Sequence, residues 1–211
     1  LTSWEIVEQL RVSDLLTGEI DAVPAEGSLA PDTYFIQKGS TRAALIQRMA
    51  EAQTKIVEEA WAARDPETPL RSPEEAVILA SIIEKETGVG AERAKVGGVF
   101  VNRLNRGMRL QSDPTIIYGI TNGEGPLDRP ILRSDISRPT KYNTYVIDRL
   151  PPGPIANPGR AAIMAAVQPE ETEFLYFVAD GTGGHAFART LAEHNRNVAE
   201  WRKIERARQN Q

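Results

Sequence analysis

Two glutamates close an apolar stretch, Leu79-Ala80-Ser81-Ile82-Ile83-Glu84-Lys85-Glu86-Thr87. A carboxyl held against apolar side chains loses hydration of its charged form. Its pKa then rises and it stays protonated near neutral pH, the state a general acid needs. Helical geometry separates the two candidates. At about 100° per residue from Leu79, Ile82 falls at about 300°, Ile83 at about 40° and Glu86 at about 340°, inside the apolar arc. Glu84 falls at about 140°, among Val77, Ala80 and Ser81. The two carboxyls lie about 200° apart and cannot share a pocket. Glu86 is the candidate proton donor, and Glu84 a candidate ion-pair partner for Arg93 or Lys95. The spacing leaves open a plainer reading, in which both are the solvated end of an amphipathic helix.

Two further clusters carry polar chemistry. Leu110-Gln111-Ser112-Asp113-Pro114-Thr115 sets amide, hydroxyl and carboxyl groups beside a chain-stiffening proline. It reads equally as an Asx-type turn, with Asp113 bonded to its own backbone, or as a sugar- or peptide-binding edge with Asp113 as a second carboxylate. Lys141-Tyr142-Asn143-Thr144-Tyr145 interleaves aromatic rings with hydrogen-bonding groups. Tyr142 and Asn143 on a loop would stack on a sugar ring and bond its hydroxyls or N-acetyl group, while Tyr145 suits a core as well. Leu150-Pro151-Pro152-Gly153-Pro154-Ile155 is stiff enough to hold backbone shape beside a cleft. Gly181-Thr182-Gly183-Gly184 does not lead from a strand into a helix, so it makes a poor phosphate loop. His185 has no nearby Ser or Cys motif and reads as a structural or surface residue, and the chain has no G-x-S-x-G.

These residues are positioned by a mixed set of elements. Thr2-x-x-Glu5 is a capping box opening a helix with Trp4, Ile6, Val7 and Leu10. Thr33-Tyr34-Phe35-Ile36 reads as a short strand. A long amphipathic helix follows from about Ser40 to about Arg64, ended by Asp65-Pro66-Glu67-Thr68-Pro69. Ser72-Pro73-Glu74-Glu75 starts the helix that carries Glu86, with Ser72 as cap, Pro73 at its first position and Glu75 completing a box. The next helix spans about Ala91 to Arg106, before Gly107. Residues 107–160 are dense in Pro, Gly, Asn and Asp, a loop-rich middle of the kind that often carries function. Asn157-Pro158 opens a short helix through Ala166. Phe174–Val178 and His185–Phe187 pair as a hairpin across Asp180–Gly184, and Thr190-x-x-Glu193 caps the last helix. The expected fold class is α+β: a helical core, a small mixed or antiparallel sheet and a C-terminal hairpin.

Composition narrows the function classes. The 211 residues carry a net charge of -4 with 41% hydrophobic content, and no Lys/Arg stripe invites nucleic acid. The basic run Arg202, Lys203, Arg206 and Arg208 alternates with Glu200 and Glu205 and reads as a solvated face. The absence of cysteine excludes disulfides and thiol catalysis, and two histidines make a His-rich metal site a poor expectation, so neither metal nor cofactor is expected. No apolar run reaches the ~18–20 residues of a membrane span. The first residue is Leu1 rather than Met, so the chain reads as a trimmed piece, which leaves open an anchor or signal upstream.

Together, ASIIEKET, VFVNRLNRGMRLQSDPTIIYG, KYNTYVIDRLPPGPIANPG and FLYFVADGTGGHAFARTLAEHN, in that order between about Pro24 and about Trp201, closely resemble the bacterial endolytic murein transglycosylases, the MltG or YceG-like family. The resemblance implies a lyase that cuts peptidoglycan glycan strands internally at the β-1,4 bond between MurNAc and GlcNAc. It implies residues 1–70 as a segment leading from a truncated LysM-like region and 71–211 as the catalytic domain. It places the catalytic carboxyl at the second glutamate of E-K-E, Glu86, and the substrate-binding residues among Gln111, Ser112, Asp113, Thr115, Tyr118, Tyr142, Asn143, Thr144 and Tyr145. It further implies one inner-membrane span upstream, a catalytic region in the periplasm or cell-wall space, and peptidoglycan synthases or division proteins as partners. A muramidase using Glu86 with Asp113, and a non-catalytic peptidoglycan-binding module, are the rival readings.

Overall fold

The computed structural model describes residues 1–209. Helix α1 (Ser3–Arg11) opens on the expected capping box: Thr2 accepts from the Glu5 amide, and the Glu5 carboxylate accepts from the Thr2 amide. Two short strands, β1 (Leu16–Thr17) and β2 (Ser40–Thr41), pair in parallel. The expected strand at Thr33–Ile36 does not form: the segment has no ladder partner among the described residues. It keeps the strand's alternation, since Tyr34 and Ile36 pack inward while Phe35 is 92% exposed.

Helix α2 (Arg42–Ala62) follows, capped by the Thr41 side chain, within the expected limits. Helix α3 (Pro73–Glu86) is the centre of the molecule. Ser72 accepts from the Glu75 amide as expected, but Glu75 returns its bond to the Arg71 amide rather than to the cap. Ala76 and the run Ile78 to Ile83 are buried, so α3 is apolar nearly all round. The one polar member, Ser81, is satisfied by donating to the Ile78 carbonyl (2.7 Å) and accepting from the Ile155 amide (3.0 Å).

A 3₁₀ turn (Gly90–Glu92) leads into α4 (Arg93–Asn105). Helix α7 (Arg160–Val167) packs between α3 and α4. Close approach there depends on Gly97, where an added Cβ would collide with the backbone carbonyl of Ala165. The loop-rich middle is interrupted by α5 (Asp113–Thr121) and a single turn, α6 (Arg133–Ile136). Helix α5 corrects the expectation of a turn at Asp113. Pro114 stands in its first turn, where a missing N–H costs nothing and a fixed φ starts a helix. Asn157 does not open α7: it is buried, accepts from the Leu29 amide and donates to Ser3 and Glu26, and Gly159 takes the cap position.

Strands β3 (Tyr176–Ala179) and β4 (His185–Ala188) form the expected antiparallel hairpin, and α8 (Leu191–Gln209) starts on the Thr190–Glu193 box. The chain is α+β. Its larger core cluster takes in Ala30, Ile56, Ala60 and Leu70 together with α3, α4 and α7, so residues before and after position 70 share one interior.

Candidate active site

Glu86 is the last residue of α3 and sits half-buried on the face that geometry assigned to it. Thr87 turns the chain into extended conformation, its amide still donating to the Ile83 carbonyl. The Glu86 Oε1 atom accepts from the Ser112 hydroxyl at 2.5 Å. Burial raises the carboxyl pKa from 4.5 to about 7. The Ser112 bond opposes that rise, the charge of Asp113 adds to it, and His185 and Arg103 oppose it. The C-terminal end of a helix, with its unpaired carbonyls, also disfavours a carboxylate. The result is a carboxyl that holds its proton into the neutral range and has a donor ready for the ionised form.

Ser112 is fixed by a buried lattice of hydroxyls. Its amide donates to Thr144 Oγ1 (2.9 Å), its carbonyl accepts from Thr115 Oγ1 (2.6 Å), and the two threonine hydroxyls lie 2.9 Å apart. Gln111 adopts φ 52°, and its amide bonds the Thr144 carbonyl (3.2 Å). The two polar clusters, about thirty residues apart in sequence, are thus one structure. Asn143 is buried, and its amide nitrogen donates to the carbonyls of Asp135, Ile136 and Arg138. Its side-chain oxygen accepts from the Tyr145 amide. Its expected exposure to a ligand on a loop is therefore replaced by a clamp on the turn of α6.

Asp113 is exposed beside Ser112 and accepts from the Tyr145 hydroxyl at 2.7 Å. Burial, then that bond and the Asp113 charge, push the Tyr145 phenol well above its ordinary range. Tyr118 and Tyr142 stand together, with ring centroids 4.7 Å apart. The Tyr118 hydroxyl reaches Glu26 (3.4 Å), a second carboxyl whose pKa is raised by burial and whose bonds go to Ser3 and Asn157.

Glu84 has neither Arg93 nor Lys95 as partner. It accepts from the Gly159 amide (3.2 Å) at the start of α7, where exposed N–H groups favour an anion. Lys95 pairs with Glu170 (3.6 Å) instead.

Arg103 escaped the reading of the sequence. It is buried, donates through Nε to the Leu175 carbonyl (2.6 Å) and through Nη1 to the Leu110 carbonyl (2.7 Å), and lies over the Tyr176 ring. It welds the loop before Ser112 to the hairpin and sets a positive charge near Glu86. The signal was present: Arg103 follows Phe100 by three and Val96 by seven, a core position for a charge. His185 has the expected structural role, its Nδ1 lying 2.8 Å from Glu92. Among the described residues no group of three or more His, Cys, Asp or Glu side chains is arranged to hold a metal ion.

The YceG-like family matches residues 1–200. The chain belongs to the YceG-like family. It is 37% identical over 173 residues to the endolytic murein transglycosylase of Bacillus subtilis (strain 168), covering 82% of this chain and 47% of that protein. It is 36% identical over 181 residues to the endolytic murein transglycosylase of Streptococcus pneumoniae serotype 2 (strain D39), covering 83% of this chain and 32% of that protein. The YceG-like chain thus spans about half, or about a third, of the curated relatives it matches. The crystal structure of a yceG-like protein from Listeria monocytogenes superposes with a TM-score of 0.68 at 30% identity, covering 92% of this chain and 62% of that one. Among the described residues no helix is long and apolar enough to cross a membrane.

Proposed function

We propose that this chain is the catalytic part of a peptidoglycan lytic transglycosylase, with Glu86 as general acid and then general base. The observation that carries the reading is the Glu86 carboxyl itself, raised to about 7 by burial and bonded to a positioned hydroxyl. The names of the relatives supply the substrate class. Protonated Glu86 donates to the glycosidic oxygen of the bond between MurNAc C1 and GlcNAc O4, and that bond breaks. The resulting carboxylate takes the proton from the MurNAc C6 hydroxyl, whose oxygen attacks C1. A 1,6-anhydro ring forms, the GlcNAc end leaves with its hydroxyl, and Glu86 is protonated again without water entering.

Ser112 Oγ steadies the carboxylate between the two proton transfers, and Thr115, Thr144 and Gln111 hold Ser112 in reach. Asp113, Tyr145, Tyr118 and Tyr142 are the groups left facing a ligand. Asp113 also supports a second reading, hydrolysis by a carboxyl pair, because its charge bears on Glu86 while its own carboxylate is held by Tyr145.

Mass spectrometry of digested peptidoglycan tests the choice. Anhydro ends that vanish in Glu86→Gln support the lytic reaction. Reducing ends labelled from solvent water, lost equally in Asp113→Asn, support hydrolysis. Glycan binding without turnover at any enzyme concentration leaves only a binding module.

A further inference from the structure

Between α1, the end of α3 and α5 a cavity of about 310 Å³ opens on the surface, and Glu86 and Asp113 are not among its lining residues. Lys85 and Pro114, the chain neighbours of those two residues, both line it. The remaining wall is mostly apolar, with Ile117 and Tyr118 from α5 and Leu127 from the loop after it. Two groups of opposite charge break that lining. Lys85 is exposed, and it belongs to none of the lysine ion pairs among the described residues. Glu5 spends Oε2 on the Thr2 amide (2.8 Å), and its other oxygen makes no hydrogen bond among the described residues.

An apolar hollow with an ammonium and a carboxylate is matched by a short peptide bearing methyl groups and both charges. A neutral sugar would leave both charges unanswered, and a purely anionic ligand would meet Glu5. We propose that the cavity is a subsite for the stem peptide of the MurNAc residue being cleaved, Lys85 receiving a stem carboxylate and Glu5 the free ammonium of an uncrosslinked stem. This rests on the reading of Glu86 as the acid of a peptidoglycan-cleaving enzyme. The stem hangs from the lactyl group on C3 of the sugar whose C1 and C6 hydroxyl react, so its anchor point and the catalytic carboxyl belong to one neighbourhood. Lys85 and Glu86, about 100° apart on the helix, are placed for adjacent tasks. Binding energy taken from this remote group would position the reacting carbon.

Two measurements test the subsite. In the first, Glu86→Gln protein is titrated with a free uncrosslinked stem peptide and followed by methyl NMR. Shifts at Ile117 and Leu127 are expected, weakened when the stem amine is acetylated and lost when Lys85→Met is added. No shift at peptide concentrations of about 10 mM, an affinity weaker than any useful subsite, overturns the proposal. In the second, kcat/KM is compared on intact strands and on strands stripped of stems by an amidase. The ratio is expected to be about ten or more in the wild type, equivalent to about 1.4 kcal/mol, and to approach one in Lys85→Met and in Leu127→Trp, which fills the hollow. A wild-type ratio of one overturns the subsite. Absence of turnover on either strand counts against the catalytic reading instead, and the peptide titration still decides the subsite.

Discussion

Replacing Glu86 by Gln preserves the shape of the side chain and an oxygen for Ser112 while removing the titratable proton. One variant therefore reports on both chemistry and buried charge. In the folded protein the carboxyl holds its proton up to about 7, against 4.5 ordinarily. The folded state thus binds this proton more tightly than the unfolded chain. Wild-type stability from this group is complete below pH 4.5 and is lost as pH rises toward 7, beyond which the loss is constant. A rise of about 2.5 pH units at 1.36 kcal/mol each sets a ceiling of about 3 kcal/mol, and the remaining solvent contact brings the working figure to about 2.

At about 2–4 °C per kcal/mol for a chain of this size, the melting temperature of Glu86→Gln should gain about 4–8 °C on the wild type between pH 4.5 and 7. Calorimetry of both proteins across that range measures it directly. Under the proposed chemistry, turnover should fall by a factor of about 10² to 10⁴. A melting difference that is flat with pH, or a wild type that gains on the variant as pH rises, would refute the picture of a carboxyl burdened by burial.

Neighbours of Glu86 should move the alkaline limb of kcat/KM in opposite directions. Ser112→Ala removes the donor that favours the carboxylate, so the acid form persists and the limb moves to higher pH. Asp113→Asn removes a repelling charge, so Glu86 ionises more readily and the limb moves to lower pH. Asn143→Ala strips a buried clamp of four backbone bonds and should cost about 2–4 kcal/mol in urea unfolding, with loss of order around α6 visible in hydrogen exchange. Gly97→Ala should lower thermal stability by about 1–3 kcal/mol, because the new methyl meets rigid backbone of α7 that cannot turn aside.

Local rules written in the sequence decided much of this protein. Capping boxes at Thr2 and Thr190 start their helices because a side chain and an amide three residues apart are neighbours before any tertiary contact forms. The placing of Glu86 and Glu84 on different faces of their helix was likewise legible, since helical angle depends only on position. Family membership followed from several ordered motifs. Where a local signal had two physical outcomes, the fold chose. Pro114 stiffens a turn or opens a helix with equal ease, and burial of Ile116 selected the helix. The strand-like alternation of Thr33–Ile36 found no second edge to bond.

The site itself is divided in the same way. The sequence by itself determined which carboxyl faces the core, because that is a property of one helix. Only the tertiary structure decided what surrounds it. Ser112 meets Glu86, Thr144 holds Ser112, and Arg103 fastens the loop between them. Each of these contacts joins segments from different parts of the chain, so its distance is set by the packing of α3, α4 and α5 rather than by any local pattern. The pKa of Glu86 belongs to that packing too, since desolvation exists only once the chain has closed around the group.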